Sequence, residues 1–344
     1  MADFLIRRCP QWQVLSPATI GMILPKPLVE LSEREYAVFC RQFERVTTAG
    51  IMQYDPASCV VLTNDISEGP DFATLGARGY RMISLWHVDV VDYFCRMYLR
   101  GLVQPATAAR WSRHRWLPNM LKLVFHKQAD CVRHCAKLVV PSAPMKAVIL
   151  RCYPDCLPEK VVVLPWGNLA DTPAVAPDRD NADEDEVVIM TLSRLSPEKG
   201  IERLLRALPL MTVKCRVWIC GAPAFMQGQR YADKLRRLAG ERVKFLGHVT
   251  GERKAALLQR ADILVSASRH ESYGLTIAEA AAAGCRIVSH QHYGASGTVV
   301  DCGQPQALAS VLTGMIQTGR TVKTPATHAP SDTAERLIEL LHAG

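Results

Sequence analysis

Glu271 and Glu279 enclose seven residues within RHESYGLTIAEAAAAGC (269–285). Carboxylates are poor partners for phosphate but good acceptors for paired hydroxyls, such as those of a ribose or a sugar ring. Between them stand Ser272, Tyr273 and Gly274, then an alanine-rich run of helical composition. Gly284 sits where a left-handed C-cap is wanted. Free amides at a helix start, reinforced by the helix dipole, stabilise an oxyanion, and Gly274 permits close approach. The chemistry written here is phosphate at a helix tip with a hydroxyl-bearing ring on either side.

ADILVSAS (261–268) and CRIVS (285–289) read as buried strands flanking that helix, which makes one βαβ unit of a parallel sheet. Further strands are expected in VVIMTLS, CRVWICG and VKFLG, and helices over 201–211, within 227–239 and over 252–261. This alternation implies a doubly wound α/β sheet, whose ligands lie beyond the carboxyl ends of the strands. That edge collects Arg194 and Lys199 from SRLSPEKG, Gly221 from CGAP, Gly247 and His248 from LGHVT, and Glu271. Arg194 can grip phosphate oxygens in a planar fork, and Lys199 acts as a point charge. Taken singly, each cation is more often a surface residue, Lys199 could pair with neighbouring Glu198, and Glu279 could be a solvated helix residue. What sets them apart is that four loops deliver ligand-type residues to one edge.

The N-terminal half shows strands in SCVVLTND, RMISLWH, KLVVPS and KVVVLPWG, so a second sheet of the same kind is expected. Its first fifty residues carry no clear pattern, and SPATIGMILP is a poor strand–glycine-loop signal. The acid- and proline-rich segment 171–186 reads as a linker. A chain of 344 residues then divides into an N-terminal domain, 1–178, and a C-terminal domain, 187–320. The closing helix, 333–343, is expected to pack back on the first. Two such domains facing across a cleft give substrates a place to meet.

No run of 18 apolar residues is present, and the N-terminus lacks a signal-peptide pattern. With no secretion signal, the twelve cysteines read as free thiols in a cytoplasmic protein. The pairs Cys131/Cys135 and Cys152/Cys156 lack usual zinc spacing and read as buried thiols, so no metal is expected. The net charge of +8 is concentrated: 93–129 holds no acid but carries Arg96, Arg100, Arg110, Arg113, Arg115, Lys122 and Lys127 among aromatics. Two readings fit, a contact with an anionic membrane surface or anionic acceptor, and a solvated helix face beside an acidic ligand. No nucleic-acid motif accompanies these charges, so no nucleic-acid partner is expected.

At SRLSPEKG and ESYGLTIAEAAAAG, with VKFLGHV between them, the sequence resembles the retaining family 4 glycosyltransferases of the GT-B fold. The resemblance runs almost continuously over 187–309 and weakly over 59–168. It implies two Rossmann-like domains and a nucleotide diphosphate-sugar as donor, with no cofactor. It places Arg194 and Lys199 on the diphosphate, with the Gly274 and Leu275 amides near the phosphate and Glu279 on the ribose. Glu271 would face the transferred sugar, while Gly221, Gly247, Val249, Ser272 and Tyr273 would line the nucleotide. MISLWHVD resembles the strand that ends in the family's active-site histidine, here His87, for which a packed histidine beside Trp86 is the plain alternative. The family's glycine loop near the N-terminus is not found, Gly21 being the best candidate. The expected reaction is metal-independent transfer of a sugar to a hydroxyl acceptor, which is lipid-linked, a glycan or otherwise anionic, with retention by front-face attack. A sugar-nucleotide epimerase is the nearer rival. A dinucleotide oxidoreductase is more distant, because no G-x-G-x-x-G follows any strand.

Overall fold

The computed structural model describes residues 9–24, 26, 31–64, 66–99, 101–111, 117–166, 186–224, 228–291, 297–319 and 330–343. The chain forms two compact units, Met1–Pro165 with Ser331–Gly344, and Trp166–Pro330. Almost all of the expected linker, 171–185, lies outside the described residues, as do Gly167 and Asn168 of the LPWGN turn.

The first unit runs α1 (Glu33–Ile51), β1 (Val60–Thr63), α2 (Phe72–Ala77), β2 (Arg81–Leu85), α3 (Val90–Met97), α4 (Pro105–Arg110), α5 (Asn119–His134), β3 (Lys137–Val140), α6 (Ala143–Cys152) and β4 (Val161–Val163). Its four strands lie in the order β1-β2-β3-β4, all parallel. Met82, Leu138 and Val140 from the sheet pack with Leu75, Ile149 and Trp86 in one apolar core. The unreadable N-terminal stretch contains α1, which is closed by a capping box: the Ser32 side chain accepts from the Glu35 amide, and the Glu35 carboxylate accepts from the Ser32 amide. Residues 17–21 form turns, with Gly21 at φ 68°, and no strand precedes β1 among the described residues.

The second unit runs β5 (Val188–Leu192), α7 (Ile201–Ala207), β6 (Arg216–Cys220), α8 (Gly228–Leu238), β7 (Val243–Gly247), α9 (Gly251–Arg260), β8 (Ile263–Ser266), α10 (Leu275–Ala282), β9 (Arg286–Ser289), β10 (Thr298–Val299) and α11 (Pro305–Gln317). The six parallel strands are ordered β10-β9-β8-β5-β6-β7. Alternate strand residues feed opposite faces. Ile189, Val217 and Ile263 pack with Leu204, Leu235 and Leu312 of α7, α8 and α11. Met190, Trp218 and Leu264 pack with Leu258 of α9 and Ile277 of α10. Helices therefore cover both faces, and the strand order reverses direction between β5 and β8, the switch point where such sheets open for ligands.

The closing helix, α12 (Pro330–His342), belongs mostly to the first unit. The Arg81 guanidinium at the start of β2 donates to the Leu341 and Leu340 carbonyls at 2.8 and 3.1 Å, and the Thr333 hydroxyl donates to the Pro165 carbonyl. Buried thiols fill small gaps: the Cys131 and Cys135 sulfurs are 3.6 Å apart, and that contact, together with burial, pushes the Cys135 thiol up.

Candidate functional site

The loops that leave β5 and β8 meet at the switch point. The Arg269 amide donates to the Glu198 carbonyl at 2.7 Å, and the Arg203 guanidinium donates to the Ala267 carbonyl at 3.1 Å. Gly200 makes this approach possible. It stands at φ 61°, and a Cβ there would lie 2.4 Å from the Ala267 carbonyl oxygen. Behind the loops, Arg269 donates to buried Glu202, whose other oxygen accepts from the Tyr231 hydroxyl. This tie fixes α7, α8 and the β8 loop to one another.

At the mouth, the Lys199 ammonium lies 2.6 Å from Glu271, with the two side chains 14% and 21% exposed. Glu198 does not take Lys199; its carboxylate accepts from the Ser196 hydroxyl and lies 3.9 Å from Arg194. Arg194 is 71% exposed, so its guanidinium is largely open to solvent. On the far side of α10, Glu279 is not a solvated helix residue. Its Oε1 accepts from Lys254 of α9 at 2.8 Å, and the carboxylate is only 14% exposed. Lys254 was not singled out in the sequence, because a lysine on an amphipathic helix carries no mark of its distant partner.

Gly274 caps α10 at φ 80° and offers no side chain to the helix, so the first amides of α10 have no side-chain partner among the described residues. At the other end, the Gly284 amide (φ 80°) donates to the Ala281 carbonyl and the Cys285 amide to the Ala280 carbonyl, which is a Schellman closure. Leu275 is half exposed at the helix start, whereas Tyr273 is buried beside Ser272 in the connecting loop. Gly221 passes hard against the β5 loop: a Cβ at its φ of 149° would lie 1.8 Å from the Ser193 carbonyl oxygen. Its amide donates to the Gly247 carbonyl at 2.7 Å. Val249 differs from the expectation, since its side chain packs into the core and leaves only backbone to face a ligand. His248 beside it is exposed.

His87 lies in the first unit, two residues past β2, and is half-buried, so it is not packed into the core as Trp86 is. Its Nε2 is 3.2 Å from the Asn64 side-chain oxygen. It lines a small hollow with Ile66, Ser67, Val88, Val90 and Gln128. Gln128 of α5 accepts from the Val90 amide at 3.0 Å and so holds the turn that presents His87. Beneath it, Asp89 caps α3 through the Asp92 amide and is fully buried, which pushes its carboxyl up to about 6.

The basic stretch 93–129 is less of a surface than its sequence implies. Lys127 is buried, donates to the Gly69 carbonyl and lies 3.0 Å from Glu44. Arg96 pairs with Asp92, and Phe125 is a core residue. Arg110 and Tyr98 are exposed, while Arg100, Arg113, Arg115 and Trp116 lie outside the described residues. No group of three His, Cys, Asp or Glu side chains could hold a metal ion among the described residues.

Two parallel-sheet α/β units, with ligand-type residues at a switch point, define a fold of the GT-B class. Solved structures share it: HepE of Anabaena in complex with UDP and glucose matches with a TM-score of 0.66 at 18% identity, over 93% of this chain and 84% of that one. Sucrose-phosphate synthase of Thermosynechococcus elongatus matches with a TM-score of 0.63 at 18% identity, over 92% and 77%. In sequence, residues 176–324 match the family model described as Glycosyl transferases group 1. A D-inositol 3-phosphate glycosyltransferase of Corynebacterium aurimucosum is 30% identical over 339 residues, 93% of this chain and 72% of that protein. The chain belongs to the group 1 glycosyl transferases. An uncharacterized glycosyltransferase of Methanocaldococcus jannaschii is 35% identical, but the match spans 30% of this chain and 27% of that protein. The match to the Corynebacterium kroppenstedtii D-inositol 3-phosphate glycosyltransferase, 27% identical over 77% of this chain, spans 62% of its length. The epimerase and oxidoreductase readings take no support from these relatives.

Proposed function

We propose that this protein transfers a sugar from a nucleotide diphosphate donor to a hydroxyl acceptor, with retention of configuration and without a metal. The observation that carries the reading is the delivery of Lys199–Glu271, Arg194 and the α10 start to one switch point, with the Lys254–Glu279 pair further along α10. Lys199 is held by Glu271. A donor diphosphate competes for that ammonium, which frees Glu271 to accept hydroxyls of the sugar. The acceptor hydroxyl attacks the anomeric carbon as its bond to the diphosphate breaks, and the departing phosphate oxygen takes the hydroxyl proton. Lys199, Arg194 and the α10 amides neutralise the charge that develops on the leaving group, the kind of preorganised stabilisation that contributes most to such steps. Glu279 holds the ribose, Gly221, Gly247 and the backbone of Val249 line the nucleotide, and His87 hydrogen-bonds the transferred sugar.

Uridine diphosphate sugars are the first donors to try, since structures of relatives in fold hold UDP with glucose or UDP-glucose. The acceptor is anionic, soluble or lipid-linked at the inner face of the membrane. The exposed Arg110 and the neighbouring Arg113 and Arg115 favour this, and relatives are named for an inositol phosphate. No described helix is long and apolar enough to cross a membrane. The test is a screen of nucleotide-sugars by melting temperature, followed by product analysis with inositol phosphate and with anionic lipid vesicles, each with and without a chelator. A donor-specific rise in melting temperature and a chelator-insensitive glycoside of the donor's anomeric configuration are expected. Inversion, chelator sensitivity or release of an isomerised free sugar would contradict it.

A further inference from the structure

The Lys254–Glu279 pair adds a cation beside the carboxylate proposed to hold a ribose. Glu279 Oε1 is taken by Lys254, while Oε2 has no hydrogen-bond partner among the described residues. The two groups come from neighbouring helices: Lys254 is the fourth residue of α9, and Glu279 the fifth of α10. Both are mostly shielded, at 25% and 14% side-chain exposure, so water competes weakly for either. An isolated glutamate on a helix samples several rotamers; one held by an ammonium at 2.8 Å presents its second oxygen in one direction. The ammonium also keeps donors to spare, since Glu279 is its single partner among the described residues. A free acceptor next to a free donor matches a vicinal diol, whose hydroxyls can each give or take a hydrogen bond.

We infer that Lys254 is the positioning residue that makes the site select ribonucleoside over 2′-deoxyribonucleoside diphosphates, by fixing Glu279 and offering its own ammonium to the second hydroxyl. The inference rests on the proposed donor site. A site built to satisfy a hydroxyl rejects the analogue that lacks it, because buried polar groups are then left unpaired.

The experiment compares UDP and 2′-deoxy-UDP, with the guanosine and adenosine pairs alongside, by titration calorimetry. The proteins are wild type, Lys254→Met, Lys254→Arg and Glu279→Gln, with melting temperatures confirming that each is folded. Wild type is expected to prefer the ribo form about tenfold or more, on the scale of hydroxyl recognition. Lys254→Met should lower the ribo affinity until the two forms bind alike, and Lys254→Arg should restore most of the preference. In turnover, Lys254→Met should raise KM by a larger factor than it lowers kcat. A ribo preference that survives intact in Lys254→Met overturns the inference while leaving the donor site standing. Failure of wild type to bind any nucleoside diphosphate overturns the donor site and the inference together.

Discussion

The two units have similar sheets but opposite ways of presenting polar groups at the carboxyl ends of their strands. In the second unit the edge is charged, and its carboxylates are held by lysines from other loops or helices, Lys199 on Glu271 and Lys254 on Glu279. In the first unit the edge shows one imidazole, His87, over a hollow, and the charge behind it is buried: Asp89 is fully enclosed, with its carboxyl pushed up to about 6. The difference teaches what each edge is built to meet. Paired charges with open amides and a solvent-facing Arg194 suit a polyanion, whereas a neutral hollow with a hydrogen-bonding ring suits a sugar or an acceptor hydroxyl.

The largest expected effect falls on the second unit's framework. Gly221→Ala puts a methyl group 1.8 Å from the Ser193 carbonyl oxygen at a φ of 149°, so the β5 and β6 loops must separate. A loss of about 4 kcal/mol or more is expected, in the range reserved for backbone clashes. Proteolysis of the second unit should accelerate while the first resists; equal cleavage of both would mean that the units do not stand apart in stability.

Next is the charged mouth. Lys199→Met leaves Glu271 unpaired and removes a cation from the leaving group, and turnover should fall by about 10²–10³-fold, as for loss of an oxyanion donor. Turnover within a factor of a few of wild type would end the claim that this edge meets a diphosphate.

The first unit is tested by pH. Asp89 holds its proton up to about pH 6 in the folded state and releases it near 3.8 when unfolded. The folded state therefore binds more protons in that window, and stability falls as pH rises from about 4 to 6. The shift corresponds to a loss on the order of 2–3 kcal/mol. Asp89→Asn keeps the α3 cap and should flatten that slope, and melting temperatures from pH 4 to 7 read it. A slope unchanged in the variant would place the titration elsewhere.

The smallest effect is on Arg194. Because its side chain is 71% exposed, Arg194→Ala should change stability by no more than about 0.5 kcal/mol while still lowering turnover. A large stability loss would make Arg194 part of the framework rather than the mouth.

Much of the second unit was legible because its physics is local. Strand and helix periods alternate from β5 to β9, Gly274 and Gly284 mark the ends of α10, and both take positive φ. Co-location on one edge follows from topology alone, so Arg194, Lys199 and Glu271 could be gathered without side-chain positions. Their pairing could not. Lys199 bonds Glu271 from 72 residues away rather than its neighbour Glu198, and Lys254 reaches Glu279 across 25. Within the basic stretch 93–129, Lys127 finds Glu44 and the Gly69 carbonyl only in the fold. In the first fifty residues the local signal is Ser32-x-x-Glu35 ahead of α1, a capping box.

The most direct test of the account is hydrogen exchange of wild-type protein with and without a saturating nucleoside diphosphate. If the phosphates engage the β5 loop and the α10 start, amides of 194–200 and of 274–278 should gain protection, while those of 87–90 change little. Protection that appears around His87 instead, or nowhere, would contradict the assignment of the charged edge to the donor.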